Sequence, residues 1–202
     1  MNKQRRIGVF GGAFDPPHQA HVALARSAVQ QLGLDELRVF PTGKAWHKAR
    51  ALSPAHHRLT MSRAAFADVL HAVVDDRELL RNGPTYTVDT LRELRVEHPD
   101  DKLILVIGAD QAEALHTWRD SAEILRLATI GVAARARPDP DAPPFDTDAL
   151  PPGTWRAVEL PPMPVSATQI RALVAAGQGI DHLVPPAVAS YIARHHLYSP
   201  ST

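Results

Sequence analysis

A glycine pair set between a buried strand and a helix constrains this chain more than any other stretch. Ile7-Gly8-Val9-Phe10 is an apolar run of the length of a short buried strand. Gly11-Gly12-Ala13-Phe14-Asp15-Pro16-Pro17-His18-Gln19-Ala20-His21 follows, and from Val22 to Leu32 the residues Ala25, Ala28, Val29 and Leu32 recur at helical spacing. The strand therefore delivers its glycines to a helix N-terminus. Residues without a β-carbon let the backbone approach a bulky anion, and the free N–H groups and positive dipole end of the helix attract phosphate. His18 and His21, three apart, project from one helix face above the same pocket. These residues read as a nucleotide phosphate site with two imidazoles aimed into it. Two other readings stay open at this level: a turn of purely structural role, and a transition-metal site in which Asp15 joins the two histidines as a facial ligand set. Pro16-Pro17, which separates Asp15 from the helix, speaks against the metal.

The rest of the chain alternates strands and helices. Glu36 to Pro41 reads as a second strand, completing a βαβ unit with a parallel sheet and right-handed crossover. Thr42 to Leu52 is a loop carrying Lys44, His47, Lys48 and Arg50, a basic flap for a polyphosphate or simply a solvated loop. Ser53-Pro54 predicts an N-cap and a first-turn proline, opening a helix to about Leu70. Ala72 to Asp75 is a short strand, and 76–84 is irregular. Thr85-Tyr86-Thr87 opens a helix with Val88, Leu91 and Leu94 on its buried face, closed by His98-Pro99. Leu103 to Ile107 is the most continuous apolar run and the best central strand. Gly108-Ala109-Asp110 stands at its carboxyl end, where open α/β sheets hold ligands. Helical stretches over about 110–115 and 120–127 precede a strand over 129–134. Half of the 18 prolines lie between Pro138 and Pro164, so about 135–164 is a loop-rich excursion with one strand, Trp155 to Leu160. Val165 to Arg171 begins a helix with capping residues, and Pro185-Pro186 opens a last one to about His195.

The predicted class is thus α/β: a Rossmann-like, doubly wound parallel sheet with helices on both faces and a small C-terminal helical segment (166–197), all in one domain of 202 residues. Lys and Arg number 22, equal to Asp and Glu. No global field draws in nucleic acid or an anionic membrane, so neither is expected as a partner. No segment is apolar over 18 residues, and the basic start leads into a strand rather than a signal-peptide core; the cytoplasm is the expected compartment. With no cysteine, disulfides, thiolate metal sites and cysteine nucleophiles are excluded.

The stretch from Gly11 to His21 resembles the first signature of the nucleotidyltransferase superfamily of adenylyltransferases, Gly-Gly-x-Phe-Asp-Pro-x-His-x-Gly-His, with Ala20 at its penultimate glycine. Ser166-Ala167-Thr168-Gln169-Ile170-Arg171 resembles the second, Ile-Ser-Ser-Thr-x-Ile-Arg, with Val165 and Ala167 as departures. Arg81 to Thr87 and Gly108 through Trp118 are similar to the bacterial nicotinate mononucleotide adenylyltransferases in particular. The resemblance covers nearly the whole chain except the proline-rich excursion. It implies that AMP passes from ATP to nicotinate mononucleotide, giving nicotinate adenine dinucleotide and pyrophosphate in NAD synthesis. By resemblance, Gly11, Gly12, His18, His21, Ser166, Thr168 and Arg171 hold ATP phosphates, with His18, His21 and Arg171 catalytic. Lys44 and His47 reach them from the flap, where Trp46 replaces a frequent proline. Gly108 also belongs to the ATP site; Asp110 serves ATP and substrate through ribose hydroxyls; Thr85, Tyr86 and Trp118 surround the pyridine. Trp118 also reads as a core indole.

The chemistry follows on general grounds. A monoester phosphate with a second pKa near 6 is mostly dianionic at pH 7 and needs no base. The barrier lies in joining two polyanions and in charge developing on phosphoryl oxygens, which calls for positioning and fixed positive charge. His18 and His21 are therefore expected as donors, with imidazole pKa values raised by the triphosphate. Mg²⁺ is expected, held chiefly by phosphates and water, with no protein metal cage. Alternatives are an adenylyltransferase for nicotinamide mononucleotide or phosphopantetheine, and a nucleotide-sensing module without turnover. A homo-oligomer is left open.

Overall fold

The structure is a computed structural model and describes residues 4–43, 51–135 and 153–200. Six strands form one parallel sheet: β1 (Arg6–Gly12), β2 (Glu36–Pro41), β3 (Ala72–Val74), β4 (Lys102–Gly108), β5 (Thr129–Arg135) and β6 (Trp155–Leu160). All six fall where the apolar runs place them. Their spatial order is β3-β2-β1-β4-β5-β6. The chain winds outward from β1 in one direction, then returns to start again at β4 in the other. Between β1 and β4 the crossovers diverge and leave a crevice at the strands' carboxyl ends, where Gly12 and Gly108 stand.

Strand alternation divides the core into two layers. Along β4, Leu103, Leu105 and Ile107 face one side, where they meet Val88, Leu91 and Leu94 of α4 (Thr87–Glu97) and Ile124 of α6 (Ser121–Leu127). Ile104 and Val106 face the other, against α1 (Gln19–Leu32), α2 (Ala55–Phe66), α7 (Ala167–Ala175) and α8 (Pro186–Arg194). A strand covered on both faces must be apolar at every position, which is why β4 reads as a continuous run. The two sheet edges are handled differently. β3 is only three residues long, and the β6 backbone at Glu159 is satisfied by the Gln31 amide of α1, which donates to its carbonyl at 2.9 Å and accepts its N–H at 2.8 Å.

Helix boundaries depart from expectation in three places. Pro54 is itself the N-cap of α2, and the helix ends at Phe66 rather than near Leu70. Residues 67–71 must turn back into β3, with His71 in the left-handed region at φ 62° and Leu70 left 71% exposed. The segment 76–84 contains a one-turn helix, α3 (Arg77–Leu80), which anchors β3 through Asp75 contacts to the Arg77 backbone and guanidinium. Past β4, α5 (Ala109–Glu113) continues into a 3-10 turn over Ala114–Thr117, tightening the chain toward Trp118.

Candidate active site

The Gly-Gly turn is built on the phenyl ring of Phe14. That ring is buried and meets Phe10, Phe66 and His21 edge-on at 5.5, 5.4 and 5.1 Å between centroids. Packing holds Phe14 at φ 46°, a left-handed conformation unfavourable by roughly 1–3 kcal/mol for a residue with a side chain. A β-carbon on Gly12 would lie 2.8 Å from two atoms of the same ring, so only glycine fits beneath it. One on Gly11 would meet nothing, and its absence leaves backbone open to the crevice.

That crevice is a cavity of about 1270 Å³. Gly11, Gly12, Ala20 and His21 line it from β1 and the start of α1, and Ser166 and Gln169 line it from the start of α7. Two helix N-termini, some 150 residues apart in sequence, thus open on one space. Ser166 is the α7 N-cap, and its hydroxyl accepts the Gln169 N–H at 3.2 Å. On another part of the wall stand Thr85, Tyr86, Gly108, Trp118 and Arg119, with the Arg119 guanidinium 4.6 Å from the Tyr86 ring centroid. Trp118 is half-buried: it packs on the α4-side core and also lines the cavity.

The two imidazoles stack, centroids 3.6 Å apart and planes at 25°. His21 lines the cavity; His18, the α1 N-cap, lies behind it and is buried. Burial pushes the His18 ring from 6.5 down to about 4, so it is neutral at pH 7 in the protein alone. Its Nδ1 has no hydrogen-bond partner among the described residues. The Nδ1 of His21 accepts the His18 backbone N–H at 3.2 Å, so in the neutral ring the proton resides on Nε2, the donor end.

Other expected residues take less direct positions. The Arg171 guanidinium donates to the Asp15 carbonyl at 2.8 Å and to the Thr168 hydroxyl at 3.1 Å, and neither residue is part of the cavity wall. Asp110 is exposed on the first turn of α5, also outside the wall. Lys44 and His47 lie outside the described residues.

Three neighbouring groups gave no signal in sequence. Arg58 is buried and donates to the carbonyls of Ala13 (3.0 Å), Thr42 (2.7 Å) and Ser53 (3.0 Å); in the sequence it is one cation on a helix. Glu78 is buried in the wall, its carboxyl accepting the Thr90 hydroxyl at 2.7 Å. Burial pushes that carboxyl up to about 7, against the smaller pulls of Thr90 and Arg81. Pro161 to Val165, the end of the proline-rich excursion, also line the cavity.

Comparison with known proteins places this geometry. The cytidylyltransferase-like family model matches residues 9–173, which include both helix N-termini. A probable nicotinate-nucleotide adenylyltransferase of Albidiferax ferrireducens is 54% identical over 194 residues, 96% of this chain and 98% of its own. The chain belongs to the nicotinate-nucleotide adenylyltransferase family. A second such relative, from Methylibium petroleiphilum, is 47% identical over 98% of this chain and 94% of its own. The fold is shared more widely. Plasmodium falciparum nicotinic acid mononucleotide adenylyltransferase, solved in complex with NaAD, superposes with a TM-score of 0.80 at 18% identity, covering 96% of this chain and 98% of that one. As a nicotinate-nucleotide adenylyltransferase family member, the chain is an enzyme of the nucleotidyltransferase class, and its crevice is the place to look for its chemistry.

Proposed function

We propose that this protein transfers the AMP moiety of ATP to nicotinate mononucleotide, forming nicotinate adenine dinucleotide and releasing pyrophosphate. The observation that carries the reading is the single cavity that joins two helix N-termini to a wall of Tyr86, Trp118 and Arg119. The first part suits a triphosphate, since the positive dipole ends of two helices stabilise anions. The second suits a flat ring bearing a carboxylate, because Arg119 supplies a cation and the aromatic side chains supply faces. Nicotinamide would require an acceptor for its NH₂ as well. A phosphopantetheine arm would make little use of two aromatic faces.

The mononucleotide's phosphate oxygen attacks the α-phosphorus of ATP, the bond to the β-bridging oxygen breaks, and pyrophosphate departs with that electron pair. The nucleophile is already dianionic, so no side chain takes a proton. Gly11 and Gly12 admit the phosphates to the backbone, and His21, backed by His18, donates from Nε2 to the oxygens on which charge develops. The arriving triphosphate opposes the burial that keeps His18 neutral. Ser166 and Thr168, with Arg171 behind them, serve the phosphates from α7; Lys44 and His47 do so from the flap. Thr85, Tyr86 and Trp118 enclose the pyridine, and Gly108 and Asp110 serve the nucleotides at the end of β4. Among the described residues no three His, Asp or Glu side chains gather to cage a metal. Mg²⁺ would be carried chiefly on the ATP phosphates and water, where it would supply positive charge to the leaving group. Among the described residues no helix is long and apolar enough to cross a membrane, and we place the reaction in the cytoplasm.

A pyrophosphate-release assay with ATP, Mg²⁺ and each of three acceptors tests this. Nicotinate mononucleotide should give the highest kcat/KM, above nicotinamide mononucleotide and phosphopantetheine. Release with none of them would point to a sensing module, and a preference for the amide would overturn the acid assignment.

A further inference from the structure

Asp15 is nearly inaccessible at 2% exposure, yet it lies in the turn that forms the phosphate side of the cavity. A carboxylate so placed must have its oxygens satisfied from within the protein. Its Oδ1 accepts the phenol of Tyr198 at 2.7 Å, and its Oδ2 accepts the Ser53 N–H at 3.1 Å. Its carbonyl accepts Arg171. Two residues earlier, Ala13, which is part of the cavity wall, gives its carbonyl to Arg58, whose guanidinium also holds Thr42 and Ser53. Four separate parts of the chain therefore grip one turn: the end of β2, the start of α2, α7 and the C-terminal tail. Tyr198 is the most remote of them, 183 residues from its partner. Burial and the Asp15 charge raise its pKa, so it remains a donor at any working pH.

The geometry points to Tyr198 as a positioning residue for the phosphate-binding turn, holding Asp15 so that the Gly11–Ala13 backbone stays placed for ATP. Its hydrogen bond goes to Asp15, at the end of the cavity away from Tyr86, Trp118 and Arg119, so its effect falls on the nucleotide triphosphate. This rests on the assignment of ATP to that part of the cavity. Losing a hydrogen bond to a charged acceptor, felt through one turn, gives an expected change of about tenfold.

The test is titration calorimetry of Tyr198→Phe, using Mg²⁺-ATP alone and nicotinate mononucleotide alone. ATP binding should weaken about tenfold while mononucleotide binding stays within twofold of the unaltered protein. Asp15→Ala combined with Tyr198→Phe should be at most about twofold worse than the more impaired single variant, because both remove the same bond. Unchanged ATP affinity in Tyr198→Phe overturns the proposal. So does equal weakening of both ligands, the mark of a general loss of structure, and so does an unaltered protein that fails to bind ATP. If the unaltered protein binds ATP but not nicotinate mononucleotide, the substrate assignment falls while the ATP arm still decides the role of Tyr198.

Discussion

His18→Ala separates a folding effect from a catalytic one at the same side chain. In the native protein burial holds the ring's pKa at about 4, against 6.5 for a free imidazole. Between those values the unfolded chain binds a proton that the native state does not, so stability is full above pH 6.5 and is lost as pH falls toward 4. Moving from pH 7.5 to 5.5, this single group should remove about 1.3 kcal/mol, with a limit of about 3.4 kcal/mol below pH 4. For a chain of this size that corresponds to a Tm drop of about 3–5 °C at pH 5.5. The other ten histidines are common to both proteins, and any constant loss from the vacated volume cancels when slopes are compared. Thermal unfolding of the two proteins across pH 5.5–7.5 should therefore show a shallower slope for His18→Ala. At pH 7.5 the folded variant should lose about 10²–10³ in kcat, the scale for disabling one donor to a developing oxyanion, because His21 loses the ring stacked behind it. Parallel slopes would refute a buried neutral ring, and a turnover near that of the unaltered enzyme would refute the support that His18 gives the His21 donor.

Gly43→Ala should be severely disruptive, because its β-carbon would fall 2.2 Å from the Glu78 carbonyl and 2.6 Å from the Thr85 hydroxyl. Backbone must shift, which is worth about 1–3 kcal/mol of stability, and KM for the mononucleotide should rise with it; unchanged chemical denaturation and KM would contradict this packing. Glu78→Gln should act in the opposite pH direction from His18. A carboxyl raised to about 7 keeps its proton when the unfolded chain has lost it, so stability falls as pH rises from 4.5 to 7. Gln can still accept from Thr90, and the variant should gain up to about 3 kcal/mol at pH 8 relative to pH 4.5; urea unfolding at the two pH values with equal differences for both proteins would disprove it.

How much could be read locally differs by element. The strands and α1 announce themselves through periodicity, and the two motif helices through their caps and glycines. α3 does not: its four residues are too few to display a period, and it forms because Asp75 and Glu97 hold Arg77 from outside it. Arg171 carries a motif that implies phosphate, yet its guanidinium is turned to Asp15 and Thr168. Arg58, Glu78 and Tyr198 look like ordinary surface polar residues until the fold brings them to their partners, since no local pattern encodes a partner that lies elsewhere in the chain.

The sequence by itself determined the succession of strands and helices, the two-sided burial of β4 and the glycines that leave backbone open beneath two histidines. Each of these depends on neighbours within a few residues, so side-chain period and backbone freedom suffice to specify it. Only the tertiary structure decided that β1 lies beside β4, that α1 and α7 open on the same cavity, and that burial lowers the His18 pKa while raising that of Glu78. Adjacency, desolvation and hydrogen bonding between distant residues arise when the sheet closes its ranks, and they depend on distances in space that the order of residues does not contain.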